Sequence, residues 1–89
     1  MSTSRTVEMR NKRGLHARAS AKFVTLASAL PAEVQVEKDG SSVCGTSIMG
    51  LMMLGAAYGD SITISAEGDG AEEAVIALAE LVETKFGEE

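Results

Sequence analysis

Two hydrophobic periodicities alternate along this chain of 89 residues, and the alternation restricts the fold more than any other feature of the sequence. Polar and apolar residues alternate where half-buried β-strands are predicted, and apolar residues recur every three or four positions where helices are predicted. The predicted strands cover residues 6–10, 33–37, 41–45 and 61–66. The predicted helices cover residues 17–30, 48–54 and 71–86. The order is therefore strand, helix, strand, strand, helix, strand, helix.

Each predicted strand has one apolar and one polar face, so one side of the sheet should face water. The helices must then pack together on the other side, which gives a two-layer α+β sandwich. A chain of 89 residues has room for one hydrophobic core, so residues 1–89 are expected to form a single domain. Many unrelated binding domains share this outline, and it does not decide the function.

The residues at the ends of the predicted elements support this order. Asp39 and Gly40 form a two-residue hairpin turn between the second and third strands. Ser47 is placed to cap the second helix, and Asp69 and Glu72 have the spacing of a capping box at the start of the third. The predicted apolar stripe of the first helix contains Ala17, Ala21, Val24 and Ala27, with Phe23, Leu26 and Leu30 beside it. That of the third helix runs from Ala71 to Phe86.

The composition excludes several classes of protein. No segment approaches the ~20 apolar residues that cross a bilayer, and the polar start of the chain shows no signal peptide. Cys44 is the only cysteine, which excludes an internal disulfide and fits a reducing compartment, so we expect a cytoplasmic protein. One histidine and one cysteine are too few for a metal site, and neither a metal nor another cofactor is expected.

The charge is distributed unevenly along the chain. Residues 1–30 carry six basic side chains and one acid, whereas residues 31–89 carry two basic side chains and twelve acids. The only histidine, His16, lies in the basic part. The net charge of −5 and the lack of aromatic residues among the basic ones argue against nucleic-acid binding. Solvated surface charge is the simplest explanation, and a basic surface around His16 is the functional one.

His16 lies where a polar loop turns into the first predicted helix. The first N–H groups of a helix have no internal partners and, together with the helix dipole, form a site for anions such as phosphate. The predicted phosphate ligands are the amides of Ala17 and Arg18 and the Arg18 guanidinium. The positive helix end favours neutral imidazole, which is the form that acts as a nucleophile.

The residues alone leave two interpretations of His16, a phosphoryl acceptor or a histidine that only caps the helix or fills the core. No acidic residue lies near His16 in the sequence, so a base that could aim water at a phosphoryl group is not expected. A carrier that receives and passes on a phosphoryl group is therefore favoured over a phosphohydrolase. We expect no turnover without partner proteins, so the chain is not predicted to be an enzyme in the strict sense.

Three segments resemble motifs of a known family. The run NKRGLHAR at 11–18 resembles the active-site signature of HPr, the histidine-containing phosphocarrier of the phosphoenolpyruvate-dependent phosphotransferase system. The run SIMGL at 47–51 is similar to the motif around the regulatory serine of that family, and ISAEG at 64–68 is similar to its fourth-strand motif. The resemblance extends over residues 5–86 and places all three motifs on matching elements.

The resemblance implies an open-faced β-sandwich, in which a four-stranded antiparallel sheet carries three helices on one face. It implies that His16 accepts a phosphoryl group through Nδ1 from phosphorylated Enzyme I and donates it to enzyme IIA proteins, with Arg18 on the phosphate. It also implies that an HPr kinase/phosphorylase modifies Ser47. One departure is plain: the family usually has proline after the arginine, where this chain has Ala19. Because alanine is a good helix former, we expect Ala19 to modify the phosphate site without abolishing its function.

Several apolar residues around these motifs are predicted to contact partner proteins. The chain itself is expected to be a monomer. This predicted docking surface comprises Leu15, Ala17, Ile48, Met49, Leu51 and Met52, and either Leu51 or Met52 is expected to point inward into the core. Methionine suits a face that meets several proteins in turn. Three alternatives stay open: a nitrogen-type carrier (NPr) of the same family, a regulatory module that is never phosphorylated, and a small-molecule-binding α+β domain.

Overall fold

The computed structural model describes residues 2–88, which form a four-stranded antiparallel sheet with three α-helices on one face. The strands are β1 (Ser2–Glu8), β2 (Glu33–Lys38), β3 (Ser41–Cys44) and β4 (Ser61–Glu67). The helices are α1 (Ala17–Ser28), α2 (Ile48–Met53) and α3 (Ala71–Glu83), and a short 3₁₀ turn follows at Lys85–Gly87. The predicted α+β class and the order of the seven main elements are confirmed.

The sheet has the strand order β1-β4-β2-β3, with every neighbouring pair antiparallel. The β1 strand begins four residues earlier than predicted because it pairs with the whole of β4, from Ser2 opposite Glu67 to Glu8 opposite Ser61. The turn between β2 and β3 is confirmed: Asp39 and Gly40 both have positive φ, 53° and 84°, as the tight hairpin turn requires.

The core lies between the helices and one face of the sheet. Alternate strand residues are buried there, including Val34, Val36, Ile62, Ile64 and Ala66, while their neighbours stay partly or fully exposed. On α1 the buried face contains Ala19, Ser20, Phe23 and Ala27, not the predicted stripe through Ala17, Ala21 and Val24. Phe23, the largest of these side chains, is fully buried, and residues four positions before and after it share its face.

The cap and the end of α3 differ from the prediction, whereas its start at Ala71 agrees with it. The capping box at Asp69 and Glu72 is wrong: the N-cap is Gly70, which has a left-handed backbone (φ 73°) and makes no side-chain cap hydrogen bond. The helix ends at Glu83 and does not continue to Phe86. Phe86 is nevertheless buried, because the chain turns back after the helix and returns that ring to the core. Within residues 2–88, no helix has the length and apolar character to cross a membrane.

A substitution at Gly14 tests how closely the loop before α1 packs against Ala56. Its φ is +63°, and a Cβ at this position would lie 2.1 Å from the carbonyl oxygen of Ala56. We therefore expect Gly14→Ala to lower the free energy of unfolding by at least about 2 kcal/mol, the sum of a left-handed backbone and overpacking. The measurement is urea unfolding followed by circular dichroism.

Gly55→Ala is the matched control, because Gly55 has a similar φ of +67° and no atom within 4 Å of the added Cβ. It should cost only the backbone contribution of about 1 kcal/mol. Equal losses of stability in the two variants would contradict the close approach of Gly14 to Ala56.

Candidate functional site

His16 is the N-cap residue of α1, with an extended backbone at φ −73° and ψ 179°. Its Nδ1 accepts a hydrogen bond from the backbone N–H of Arg18, with an N···N distance of 3.3 Å. About a fifth of the side chain is exposed (21%), so the ring lies at the surface and not inside the core. The sequence-based placement of the histidine at the helix start is therefore correct, and the ring also caps the helix.

The loop before α1 fixes this position through contacts with the backbone. Leu15 donates its N–H to the carbonyl oxygen of Ala56 at 2.9 Å, beside the close approach of Gly14. The buried hydroxyl of Ser20 donates to the carbonyl oxygen of Leu15 at 3.2 Å. The Ser20 N–H donates to the carbonyl oxygen of His16 at 2.9 Å, which is the first hydrogen bond of the helix. The start of α1 is therefore fixed by the Ala56 carbonyl oxygen before the helix and by Ser20 within its first turn.

A carboxylate from the far end of the chain lies on the other side of the imidazole. Oε2 of Glu88 is 2.6 Å from Nε2 of His16, although 72 positions separate the two residues. The other oxygen, Oε1, accepts from the Asn11 side-chain amide at 3.1 Å. That amide also donates to the carbonyl oxygen of Gly14 at 2.8 Å, and Asn11 is only 1% exposed. No acidic residue lies near His16 in the sequence, but the fold brings the Glu88 carboxylate to its ring.

The electrostatics of Glu88 follow from these neighbours. Burial raises the pKa of the Glu88 carboxyl, but the hydrogen bonds from His16 and Asn11 and the positive charge of Lys22 outweigh it and bring the pKa below its ordinary value. Glu88 is therefore ionised at neutral pH and can only accept hydrogen bonds. Nε2 of the neutral imidazole must then carry the proton, which leaves the lone pair on Nδ1, facing the Arg18 amide.

An unusual turn brings Glu88 back to the helix start. Lys85, Phe86 and Gly87 all have left-handed backbones, with φ of 61°, 55° and 76°. A left-handed conformation costs a residue with a side chain about 1–2 kcal/mol. Two contacts offset this cost: the Phe86 ring is buried in the core, and the Lys22 ammonium donates to the Phe86 carbonyl oxygen at 2.8 Å. No periodicity in the sequence signals such a turn.

The remaining residues predicted at the phosphate site lie on the outside of α1. Ala17 and Arg18 are both exposed, and the amide of Arg18 points at the His16 ring. Within residues 2–88 the Arg18 guanidinium has no ion-pair partner, so its donors are available to an anion. In the same part of the chain no group of three or more His, Cys, Asp and Glu side chains is arranged to hold a metal ion.

Ser47 caps α2 as predicted: its Oγ accepts from the Gly50 N–H at 2.9 Å. After it, four apolar side chains of α2 are exposed, namely Ile48 (41%), Met49 (72%), Met52 (43%) and Met53 (80%). We call these four residues the methionine surface. It includes Met53, which was absent from the predicted docking set. Tyr58, also exposed, lies in the loop that follows α2.

Two members of the predicted docking set do not reach the surface. Leu15 is 4% exposed and Leu51 is fully buried, so both belong to the core. Leu51 lies on the side of α2 that faces the core, and Leu15 is drawn inward by the hydrogen bond between its N–H and Ala56. The predicted exposure of Leu15 is therefore wrong. Of Leu51 and Met52, one of which is expected to point inward, Leu51 is the buried residue and so is excluded from the docking set, whereas Ala17, Ile48, Met49 and Met52 are exposed.

Comparisons with a family model, with known sequences and with solved structures all point to the same family. A family model described as the PTS HPr component phosphorylation site matches residues 3–84. Phosphocarrier protein HPr of Neisseria meningitidis serogroup B is 51% identical over 83 residues, which cover 93% of each chain. The crystal structure of HPr-C-His from Thermoanaerobacter tengcongensis matches with a TM-score of 0.93 and 50% identity over 98% of each chain. Phosphocarrier protein NPr of Shewanella violacea is 39% identical over 84 residues, 94% of this chain and 92% of that relative.

Proposed function

This chain belongs to the HPr family of phosphocarriers, and from that membership we propose that it accepts a phosphoryl group on His16 from phosphorylated Enzyme I and donates it to enzyme IIA proteins. One observation supports His16 as the acceptor: its Nδ1 bears a lone pair at the N-terminus of α1, within reach of the Arg18 amide. The imidazole is thus a nucleophile placed beside donors suited to a phosphate.

The transfer needs little movement in this site. The Nδ1 lone pair attacks the phosphorus of the donor, the bond between phosphorus and the donor nitrogen breaks, and its electron pair returns to the donor. The phosphoryl oxygens then occupy the space in front of Nδ1. There they can accept the Arg18 N–H that the ring accepts in the free protein. The exposed Arg18 guanidinium can fold over the same oxygens.

The strength of these contacts suits a carrier. The helix dipole contributes about 0.3–1 kcal/mol, and hydrogen bonds to a charged group about 1.5–3 kcal/mol each. Interactions with these free energies stabilise a bound phosphoryl group but still allow its transfer to another protein. A partially exposed ring also allows two different proteins to approach the same nitrogen in turn.

The docking face of this proposal combines Ala17 and Arg18 with the methionine surface. Helices α1 and α2 pack against each other, so the phosphate site and the methionine surface belong to neighbouring elements. Exposed methionine side chains adapt to differently shaped partners.

We propose that the chain acts in the cytoplasm as a monomer. Its higher identity to the Neisseria HPr than to the Shewanella NPr favours the sugar-type branch over the nitrogen-type one.

The first prediction concerns the acceptor itself. Incubation with phosphoenolpyruvate and Enzyme I should place one acid-labile, base-stable phosphate on the wild-type chain, because phosphohistidine has that stability. His16→Ala should take no label, and mass spectrometry measures both. A regulatory module or a small-molecule-binding domain would give no label on the wild type, and a label that survives in His16→Ala would place the acceptor elsewhere.

The second prediction concerns the Arg18 guanidinium. Arg18→Ala should slow phosphoryl transfer from Enzyme I about 10- to 100-fold, the equivalent of one lost charge-assisted hydrogen bond of about 1.5–3 kcal/mol. Rapid-quench kinetics measure the change, and thermal unfolding should show an intact fold. Arg5→Ala is the control, since Arg5 is also exposed but lies on β1 beside Glu83 (3.7 Å). Equal rates for the two variants would remove Arg18 from the site.

The third prediction concerns Ser47, which we propose as a site of regulatory phosphorylation. A phosphate on this N-cap would meet the unpaired amides of α2 and leave the fold intact, while adding negative charge beside the methionine surface. Ser47→Asp, which imitates part of that charge, should weaken binding to Enzyme I several-fold by calorimetry. Ser41→Asp is the control, because Ser41 is exposed on β3 opposite Lys38. Equal affinity for both variants would contradict the regulatory role.

A further inference from the structure

A cleft of about 540 Å³ lies where three segments of the chain meet, and its lining includes neither His16 nor Arg18. Its volume falls within the range of about 300–1,000 Å³ that ligand sites have. The three segments are the end of β1 with the loop that follows, the turn before β4, and the turn after α3. We call it the basic cleft, and within residues 2–88 it is lined by Glu8, Met9, Arg10, Lys12, Tyr58 and Lys85.

Backbone hydrogen bonds fix two of these segments against each other. The Met9 N–H donates to the carbonyl oxygen of Asp60 at 2.7 Å, and the Gly59 N–H donates to the Met9 carbonyl oxygen at 2.9 Å. The Asp60 carboxylate accepts from the Ala57 N–H at 2.9 Å and so closes the turn on which Tyr58 lies. The position of Tyr58 beside the end of β1 is therefore part of the fold.

The third segment brings Lys85 to the cleft from the other end of the chain. The Lys85 backbone is left-handed, with φ of 61°, which is unfavourable for a residue with a side chain. The next residue, Phe86, is buried in the core, and its carbonyl oxygen accepts from the Lys22 ammonium at 2.8 Å. These contacts hold the turn that places Lys85 beside the loop after β1.

The charge of the cleft is opposite in sign to that of the whole chain. Three cations and one acid, Glu8, give it a net charge of +2, whereas the chain carries −5. Of the two basic residues after position 30, Lys38 pairs with two aspartates, but Lys85 has no ion pair within residues 2–88. In the same part of the chain Arg10 and Lys12 have none either. The fold therefore gathers three uncompensated positive charges around one cleft, which an anion would stabilise.

We propose that the basic cleft binds a small phosphate ester. A phosphate group carries close to two negative charges at pH 7 and so matches the charge of the cleft. Arg10, Lys12 and Lys85 donate to its oxygens, and the guanidinium can donate two hydrogen bonds in parallel. The Tyr58 ring, which is 67% exposed, packs against the organic part of the ligand, and the Glu8 carboxylate accepts from its hydroxyl groups.

The test is an NMR titration of the isotopically labelled chain with adenosine monophosphate, ribose 5-phosphate and inorganic phosphate. About 0.15 M salt screens charges that lie more than about 8 Å apart. With either ester, the backbone amides of the cleft residues should shift together and saturate with one dissociation constant. The Arg18 amide reports separately on the start of α1. Shifts confined to Arg18, or shifts that do not saturate, would overturn the inference.

The three probes also identify the organic part of the ligand. Adenosine monophosphate that binds about tenfold more tightly than ribose 5-phosphate indicates a nucleotide, because one base stacks on Tyr58. Equal affinities of the two esters indicate a sugar phosphate. In both cases Tyr58→Ala should weaken the ester and leave inorganic phosphate unchanged. Equal affinities of all three probes would contradict the contact with Tyr58.

Two variants test whether charges from opposite ends of the chain converge on one ligand. Arg10→Gln and Lys85→Gln should each weaken the ester about fivefold, the loss of one exposed charge pair. Both residues are exposed, and thermal unfolding should show an intact fold. Arg13→Gln is the matched control, because Arg13 is exposed in the same loop but does not line the cleft. An equal loss in Arg13→Gln would indicate general attraction of anions to a basic segment and overturn the inference.

This inference concerns binding alone and does not depend on phosphoryl transfer. His16→Ala, which should take no label from Enzyme I, should bind the esters with the affinity of the wild type. A loss of ester binding in His16→Ala would place the ligand at the start of α1 and overturn the inference. Failure of the wild-type chain to take a label would contradict the proposed function and leave the titration of the basic cleft unaffected.

Discussion

The hydrogen bond from the Leu15 N–H to the Ala56 carbonyl oxygen is the constraint on which the rest of the site depends. It fixes the chain immediately before α1, at a point where Gly14 leaves no room for a side chain. Phe23 and its neighbours are buried in the core and hold the helix against α2 and α3. His16 therefore gains its position from the core and does not need contacts of its own with the core. A surface residue that must meet other proteins can in this way be rigid and accessible at once.

The imidazole is contacted through both of its nitrogens, by groups from opposite ends of the chain. The Arg18 amide, two residues away, meets Nδ1, and the Glu88 carboxylate, 72 residues away, meets Nε2. The first contact is a local property of a helix start. The second depends on where α3 ends and on the left-handed turn at Lys85 and Phe86. The folding of the last elements thus determines which nitrogen is left with a lone pair.

This division explains which features the sequence could predict. The strand pattern around Val34 and Ile62, the turn at Asp39 and the cap at Ser47 depend on residues a few positions apart, and all were predicted. The buried face of α1 depends on how the helix packs against α2 and α3, and the inward position of Leu15 depends on its contact with Ala56; the periodicity of the sequence encodes neither. Glu88 is the clearest case, since only the completed fold brings it to His16.

The two interpretations of His16 that the sequence left open, helix cap and phosphoryl acceptor, are compatible. In the free protein Nδ1 satisfies an Arg18 amide that would otherwise lack a partner. In the proposed phosphorylated state the phosphoryl group would use the lone pair, but its oxygens would accept from the same amide and complement the helix dipole better than the ring does. The capping contact would then be exchanged and not lost. The helix start can therefore pass between the two states without unravelling, which a carrier that is loaded and unloaded repeatedly requires.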